Sequence, residues 1–178
     1  MSIISKKICL VGDFGVGKTS LIRRFVDRQF SDQYLSTVGV KISRKTVELT
    51  GVKQQEKVNL QLLIWDLEGH TKFKGIAPSY LQGSSGAVVV ADVSRTETIE
   101  RVPEHIQLFL SVNPKGSLIV ALNKSDLIDE EKLEKLIQIV QLQEGGDRVA
   151  GIYPTSAKTG LYVDEIFQQL AYKSLEAV

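Results

Sequence analysis

The chain has 178 residues, of which 43% are hydrophobic, which suits a single domain spanning 1–178 with a full core and argues against a second one. Its 22 basic and 21 acidic residues leave a net charge of +1, so nothing in the balance points to a nucleic-acid partner or a strongly anionic surface. There is no N-terminal signal pattern and no apolar run of about 18 residues, and the lone Cys9 cannot form an internal disulfide; together these predict a soluble, cytoplasmic protein.

In chain order, Ile8 to Val11 is a buried-strand pattern with Cys9 as a small core residue. It runs into Gly12-Asp13-Phe14-Gly15-Val16-Gly17-Lys18-Thr19, which fits G-x-x-x-x-G-K-S/T, and Leu21, Ile22, Phe25 and Val26 then recur at helical spacing. Strand, glycine-rich loop and helix in this order form a phosphate cradle. Glycines let successive amides turn inward, Lys18 reaches the β- and γ-phosphate oxygens, Thr19 offers a hydroxyl to Mg²⁺, and the helix adds its positive end. A polar segment from Phe30 to Gly39 precedes two strand patterns, Val40 to Leu49 and Lys57 to Asp66, joined by a turn around Gly51 as a hairpin.

Farther on, Ala87 to Val90 and Leu118 to Leu122 are continuously apolar, as parallel strands covered on both faces are. Helical spacing appears in Val102, Ile106, Phe109 and Leu110, in Leu133, Leu136, Ile137 and Val140, and in Val163, Ile166, Phe167 and Leu170. His105 falls inside the first of these patterns and is read as structural. The alternation predicts an α/β fold, a central and mostly parallel sheet with an antiparallel edge strand, binding nucleotide at the carboxyl ends of its strands.

Three further clusters follow strands. Asp66-Leu67-Glu68-Gly69 supplies a carboxylate to hold Mg²⁺ through water and a glycine amide for a terminal phosphate. Asn123-Lys124-Ser125-Asp126 supplies a carboxylate able to accept from both N1 and N2 of guanine, donors that adenine lacks. Thr155-Ser156-Ala157-Lys158, after a strand-like Gly151 to Pro154, can offer a backbone donor to the guanine carbonyl.

With these clusters in this order, the chain resembles the Ras superfamily of small GTPases, most closely its Rab-like branch, over essentially its whole length. The resemblance implies a P-loop NTPase of the Ras-like G-domain type, a six-stranded sheet with one antiparallel strand and helices on both faces, and GTP or GDP bound with Mg²⁺. It implies nucleotide contacts from Gly15, Val16, Gly17, Lys18, Thr19, Ser20, Phe30, Tyr34, Thr37, Gly69, Asn123, Lys124, Asp126, Ser156, Ala157 and Lys158. Phe30 would lie edge-on to the guanine and Tyr34 close over the phosphates. The metal would take Thr19, Thr37 and, through water, Asp66, and catalysis would fall to His70, Lys18 and Gly69. The Rab-like features are Trp65-Asp66, Phe73, the stretch from Pro78 to Gly83, and Ala91 to Ser94. Ile42, Trp65 and Tyr80 match the apolar triad that such proteins show to effectors; packing within the sheet is the alternative for Ile42 and Trp65.

The departures gather at the hydrolytic centre. Phe14 stands where the family carries Gly or Ser, on the route of an activating partner's arginine; Glu68 replaces a small residue; His70 replaces the Gln that orients the attacking water, although Asp-x-x-Gly-His is the arrangement of translational GTPases. The expected function is therefore a GTP-binding switch that hydrolyses GTP slowly and signals through two nucleotide-sensitive loops. A GTP-loaded, hydrolysis-deficient scaffold is the alternative, and a P-loop kinase is disfavoured by N-K-x-D. The resemblance implies an effector, an exchange factor and an activating protein as partners, and a monomer. The chain ends at Val178 without the prenylated cysteines usual in Rab and Ras proteins, so a direct lipid anchor is not expected, as in a prokaryotic member of the superfamily or a shortened chain.

Overall fold

The computed structural model describes residues 4–31, 40–52, 55–67, 78–143 and 148–176. The elements are β1 (Ile4–Gly12), α1 (Lys18–Asp27), β2 (Val40–Val52), β3 (Gln55–Leu67), α2 (Pro78–Leu81), β4 (Gly86–Asp92), α3 (Thr96–Glu100), α4 (Val102–Val112), β5 (Ser117–Asn123), a 3₁₀ turn (Ser125–Leu127), α5 (Glu130–Gln141), β6 (Val149–Pro154) and α6 (Val163–Glu176). The strands form one six-stranded sheet in the order β2-β3-β1-β4-β5-β6. β2 pairs antiparallel with β3, as the hairpin pattern predicts, and every other pairing is parallel.

The period-two alternation of each strand divides the core between the two sheet faces. On one face Ile8 and Leu10 pack with Leu60, Leu62 and Ile64 under α1 and α6, whose Phe25 and Phe167 rings stack with centroids 4.2 Å apart. On the other, Cys9 and Val11 pack with Val89, Leu118 and Leu122 under Ile106 and Phe109 of α4. The whole of β4 is buried, which is why its sequence reads as one apolar run rather than alternating.

Helix boundaries follow local chemistry. α4 starts with proline in its first turn, where the missing amide costs nothing. α5 is capped by Asp129, whose carboxylate accepts from the Lys132 amide at 2.8 Å. The short α2 and α3 carry too few residues for a 3.6-residue period to show in sequence. Because the parallel strands share a direction, the carboxyl ends of β1, β3, β4, β5 and β6 lie along one edge of the sheet. The cradle, Asp66, Asp92, the Asn123 cluster and the Thr155 cluster all emerge there.

Candidate functional site

The cradle is a loop that only glycine permits at two points. A Cβ on Gly12 would lie 2.3 Å from the Val90 carbonyl oxygen of the neighbouring strand, so β1 cannot exit beside β4 with any side chain there. Gly17 has φ +103, and a Cβ on it would lie 2.3 Å from Asn123 Nδ2. It is also the residue from which α1 springs, and that helix has no acidic residue in its first turn to compete for its orphan amides.

Every carbonyl from Gly12 to Val16 accepts a side-chain hydrogen bond. Lys18 Nζ donates to Gly12 and Asp13 at 3.1 Å each. Arg95 Nη1 donates to Phe14 at 2.7 Å, Lys124 Nζ to Gly15 at 3.0 Å and Asn123 Nδ2 to Val16 at 2.9 Å. In a trans peptide the amide points opposite to the carbonyl, and no described peptide is cis. Turning the carbonyls of Phe14, Gly15 and Val16 toward Arg95, Lys124 and Asn123 therefore turns the amides of Gly15, Val16 and Gly17 away from those side chains, into a concave nest suited to an anion. Lys18 is itself buried, which pushes its amine down to about 8 against the opposing pull of Asp66 and Asp13. A desolvated cation of this kind gains from a phosphate placed beside it.

At the cradle's end Thr19 Oγ1 donates to Asp66 Oδ2 at 2.5 Å, bringing the start of α1 against the end of β3. Hydroxyl and carboxylate oxygens are the hard donors Mg²⁺ takes, and it commonly uses one or two protein groups and completes its shell from substrate phosphates and water. The donor set fits that metal. Ser20 follows in the first turn of α1.

The clusters that follow β5 and β6 interlock. The buried Asn123, besides holding Val16, accepts from Thr155 Oγ1 at 3.2 Å. Lys124 adopts a left-handed φ of +62 and also pairs with the buried Asp92 at 3.0 Å. The Ser125 amide donates to the Thr155 carbonyl at 3.0 Å, and Ser156 Oγ donates to Asp126 Oδ1 at 2.7 Å. Asp126 is exposed, while Ser156 and Ala157 are buried and Lys158 is exposed on the loop that Arg24 of α1 reaches through the carbonyls of Lys158 and Thr159. Phe30 lies after α1 with 37% of its surface exposed.

Tyr34, Thr37, Glu68, Gly69 and His70 lie outside the described residues, as does Phe73. Of the apolar triad, Ile42 and Trp65 are direct cross-strand partners, and Ile42 and Tyr80 are 49% and 42% exposed. Trp65 is half-buried against the second core, with Lys7 Nζ 3.6 Å from its ring centroid. The same ammonium donates to the carbonyls of Tyr80 and Gln82, tying α2 to the sheet beside the pair.

Sequence reasoning missed one group. His105, read as structural, is indeed buried on α4, yet its Nε2 is 3.0 Å from the Asp13 carboxylate, which Arg101 also meets at 3.3 Å. With Arg95 these residues hold the cradle from outside every motif. The available signal was Asp13 itself, a carboxylate within a glycine-rich loop suited to an anion, which calls for compensating donors.

The family model described as "Ras of Complex, Roc, domain of DAPkinase" matches residues 7–126. The chain is 32% identical to Ras-related protein Rab-22A of Homo sapiens over 174 residues, covering 96% of this chain and 84% of that protein. It is 34% identical to Rab-13 of Canis lupus familiaris over 166 residues, 93% of this chain and 77% of that protein. Against Ras-related protein RABF2b of Arabidopsis thaliana it is 34% identical over 169 residues, 94% and 80% of the respective chains.

The geometry predicts that Gly17→Ala weakens GDP binding by about a hundredfold, through backbone strain at positive φ and displacement of the Asn123 amide. Calorimetric titration checks this, with thermal unfolding of the nucleotide-free protein as control. Unchanged affinity would contradict the packing described for Gly17 and Asn123.

Proposed function

The chain belongs to the Ras superfamily of small GTPases, in its Rab-like branch, and from that membership we propose a guanine-nucleotide switch that hydrolyses GTP slowly and signals to effectors through two loops. The observation that carries this reading is the joint use of Asn123 and Lys124. They hold the carbonyls of Val16 and Gly15 while the same turn presents Asp126, so the phosphate and base sites are one built unit.

In this reading the amides of Gly15, Val16 and Gly17, with those of Lys18, Thr19 and Ser20 at the start of α1, bind the phosphates, and Lys18 neutralises the β- and γ-oxygens. Asp126 accepts from guanine N1 and N2, the Ala157 and Lys158 amides serve the guanine carbonyl, and Phe30 lies against the ring. Thr19 and Thr37 would hold Mg²⁺ directly and Asp66 through water. A metal held there would supply charge stabilisation to the phosphate oxygens. Tyr34, Thr37 and the Gly69 amide sense the γ-phosphate, and loss of that shared ligand on hydrolysis releases the two loops. His70 orients the water for in-line attack at phosphorus, from which GDP departs.

Ile42 and Trp65 lie between those loops in sequence and Tyr80 just after the second; this triad, with Ile42 and Tyr80 exposed and Trp65 half-buried, is the proposed effector face, with an exchange factor and an activating protein as the other partners of a cytoplasmic monomer. No described helix is long and apolar enough to cross a membrane. The Phe14 ring, 43% exposed on the cradle, favours slow hydrolysis and keeps the GTP-loaded scaffold as the second reading.

Base selection is tested by calorimetry with GDP, ADP and xanthosine diphosphate. GDP should bind far more tightly than ADP, and Asp126→Asn should shift preference toward xanthine; comparable GDP and ADP affinities would remove the guanine assignment.

Hydrolysis is tested in single turnovers from about pH 5.5 to 8.5, the range spanning an ordinary imidazole near 6.5. The unmodified protein should show a pH-dependent rate, His70→Gln a flatter profile and His70→Ala a slower reaction. If His70→Ala keeps both rate and profile, His70 takes no part and the scaffold becomes the better reading.

A further inference from the structure

Three of the side chains that donate to the carbonyls from Gly12 to Val16 belong to recognisable motifs: Lys18, Asn123 and Lys124. Arg95 does not. It stands immediately before α3, and its guanidinium reaches across to donate to the Phe14 carbonyl at 2.7 Å while Nε meets Glu97 at 3.3 Å. One residue earlier in the cradle, the Asp13 side chain is only 4% exposed, with its two carboxylate oxygens facing His105 at 3.0 Å and Arg101 at 3.3 Å. Arg101 and His105 lie one turn apart at the start of α4, linked by the His105 amide donating to the Arg101 carbonyl at 3.2 Å.

The platform beneath them is rigid. Thr98 Oγ1 accepts from the Asp92 amide and shares its one proton between the carbonyls of Arg95 and Asp92, fixing the start of α3 to the end of β4. Asp92 in turn accepts from the Ser94 amide and hydroxyl and pairs with Lys124. The arm that carries Arg95 is thus braced by the residue that braces Lys124.

We propose that Arg95, Arg101 and His105 are positioning residues of the phosphate site: they clamp Asp13 and Phe14 from outside the loop and thereby aim the Gly15 amide at the bound β-phosphate. Arg95 acts most directly, because the Phe14 carbonyl and the Gly15 amide share one rigid peptide plane. A guanidinium on the oxygen fixes the direction of the hydrogen. Arg101 and His105 act one residue earlier, by immobilising a carboxylate that would otherwise drift toward the phosphates and repel them. None of the three touches nucleotide; their effect passes through the loop.

The proposal rests on the nucleotide-binding reading above, and its test separates the two. Release of a fluorescent GDP analogue is measured for the unmodified protein, Arg95→Ala, Arg95→Lys, His105→Gln and Arg95→Ala/His105→Gln, with the ³¹P spectrum of bound GDP recorded for each. Arg95→Ala should release nucleotide about tenfold faster, the scale of one charged-donor hydrogen bond. It should also move the β-phosphate resonance while leaving the α-phosphate resonance in place. Arg95→Lys, which retains a cationic donor, should restore most of both, and the double variant should be the fastest. Loosened packing alone would lower the thermal midpoint without a shift confined to the β-phosphate and without rescue by lysine. If the unmodified protein holds GDP but Arg95→Ala leaves release and the β-resonance unchanged, the positioning role is wrong and the nucleotide site stands. If the unmodified protein holds no GDP, the nucleotide-binding reading itself falls.

Discussion

The structure depends on how the carbonyls of the loop from Gly12 to Val16 are satisfied. A loop that presents its amides to an anion must turn its carbonyls elsewhere, and those whose bonds are buried, on Gly12, Asp13 and Val16, would each cost on the order of 1–3 kcal/mol without a donor. Here each finds a side chain: Lys18 for Gly12 and Asp13, Arg95 for Phe14, Lys124 for Gly15 and Asn123 for Val16. The donors arrive from α1, from the segment after β4 and from the end of β5, so the sheet must set those strands side by side before the loop can hold its shape. Strand order β1-β4-β5 does this.

That dependence explains why the site is shared between distant parts of the chain. Asn123 links the glycine-rich loop after β1 to Thr155 in the loop after β6. Asp92 links Lys124 to the arm bearing Arg95. Thr19 and Asp66 join the start of α1 to the end of β3, from which the segment carrying Gly69 and His70 departs. A ligand that bridges these pieces would stabilise all of them together, which is the physical basis of the switch proposed above.

Much of this was legible in the sequence because it is local. Glycine spacing marks the cradle, continuous apolar runs mark β4 and β5, and helical spacing marks α1, α4, α5 and α6. The antiparallel β2 edge was legible from the glycine signal at Gly51, although β2 itself runs on to Val52. What escaped is what depends on tertiary placement. Arg95 and Arg101 are ordinary basic residues until the sheet brings them to Phe14 and Asp13. His105 falls at a core position of its helix pattern, and only the packing of α4 beside β1 shows that its ring ends on a carboxylate. α2 and α3 escaped because an element of a turn or so carries no period. The exposure of Ile42 and the half-burial of its strand partner Trp65 also follow from placement, since Trp65 packs on a core that Ile42 does not reach.

A switch must have two states that its own ligand distinguishes, and the segments proposed to do so are 32–39, with Tyr34 and Thr37, and 68–77, with Gly69 and His70. Amide hydrogen exchange followed by mass spectrometry, on the protein loaded with GDP and with a non-hydrolysable GTP analogue, tests this most directly. Slower exchange in both segments with the GTP analogue, and unchanged exchange in β4 and β5, is expected of a switch. Indistinguishable exchange in both segments with both nucleotides bound would contradict it.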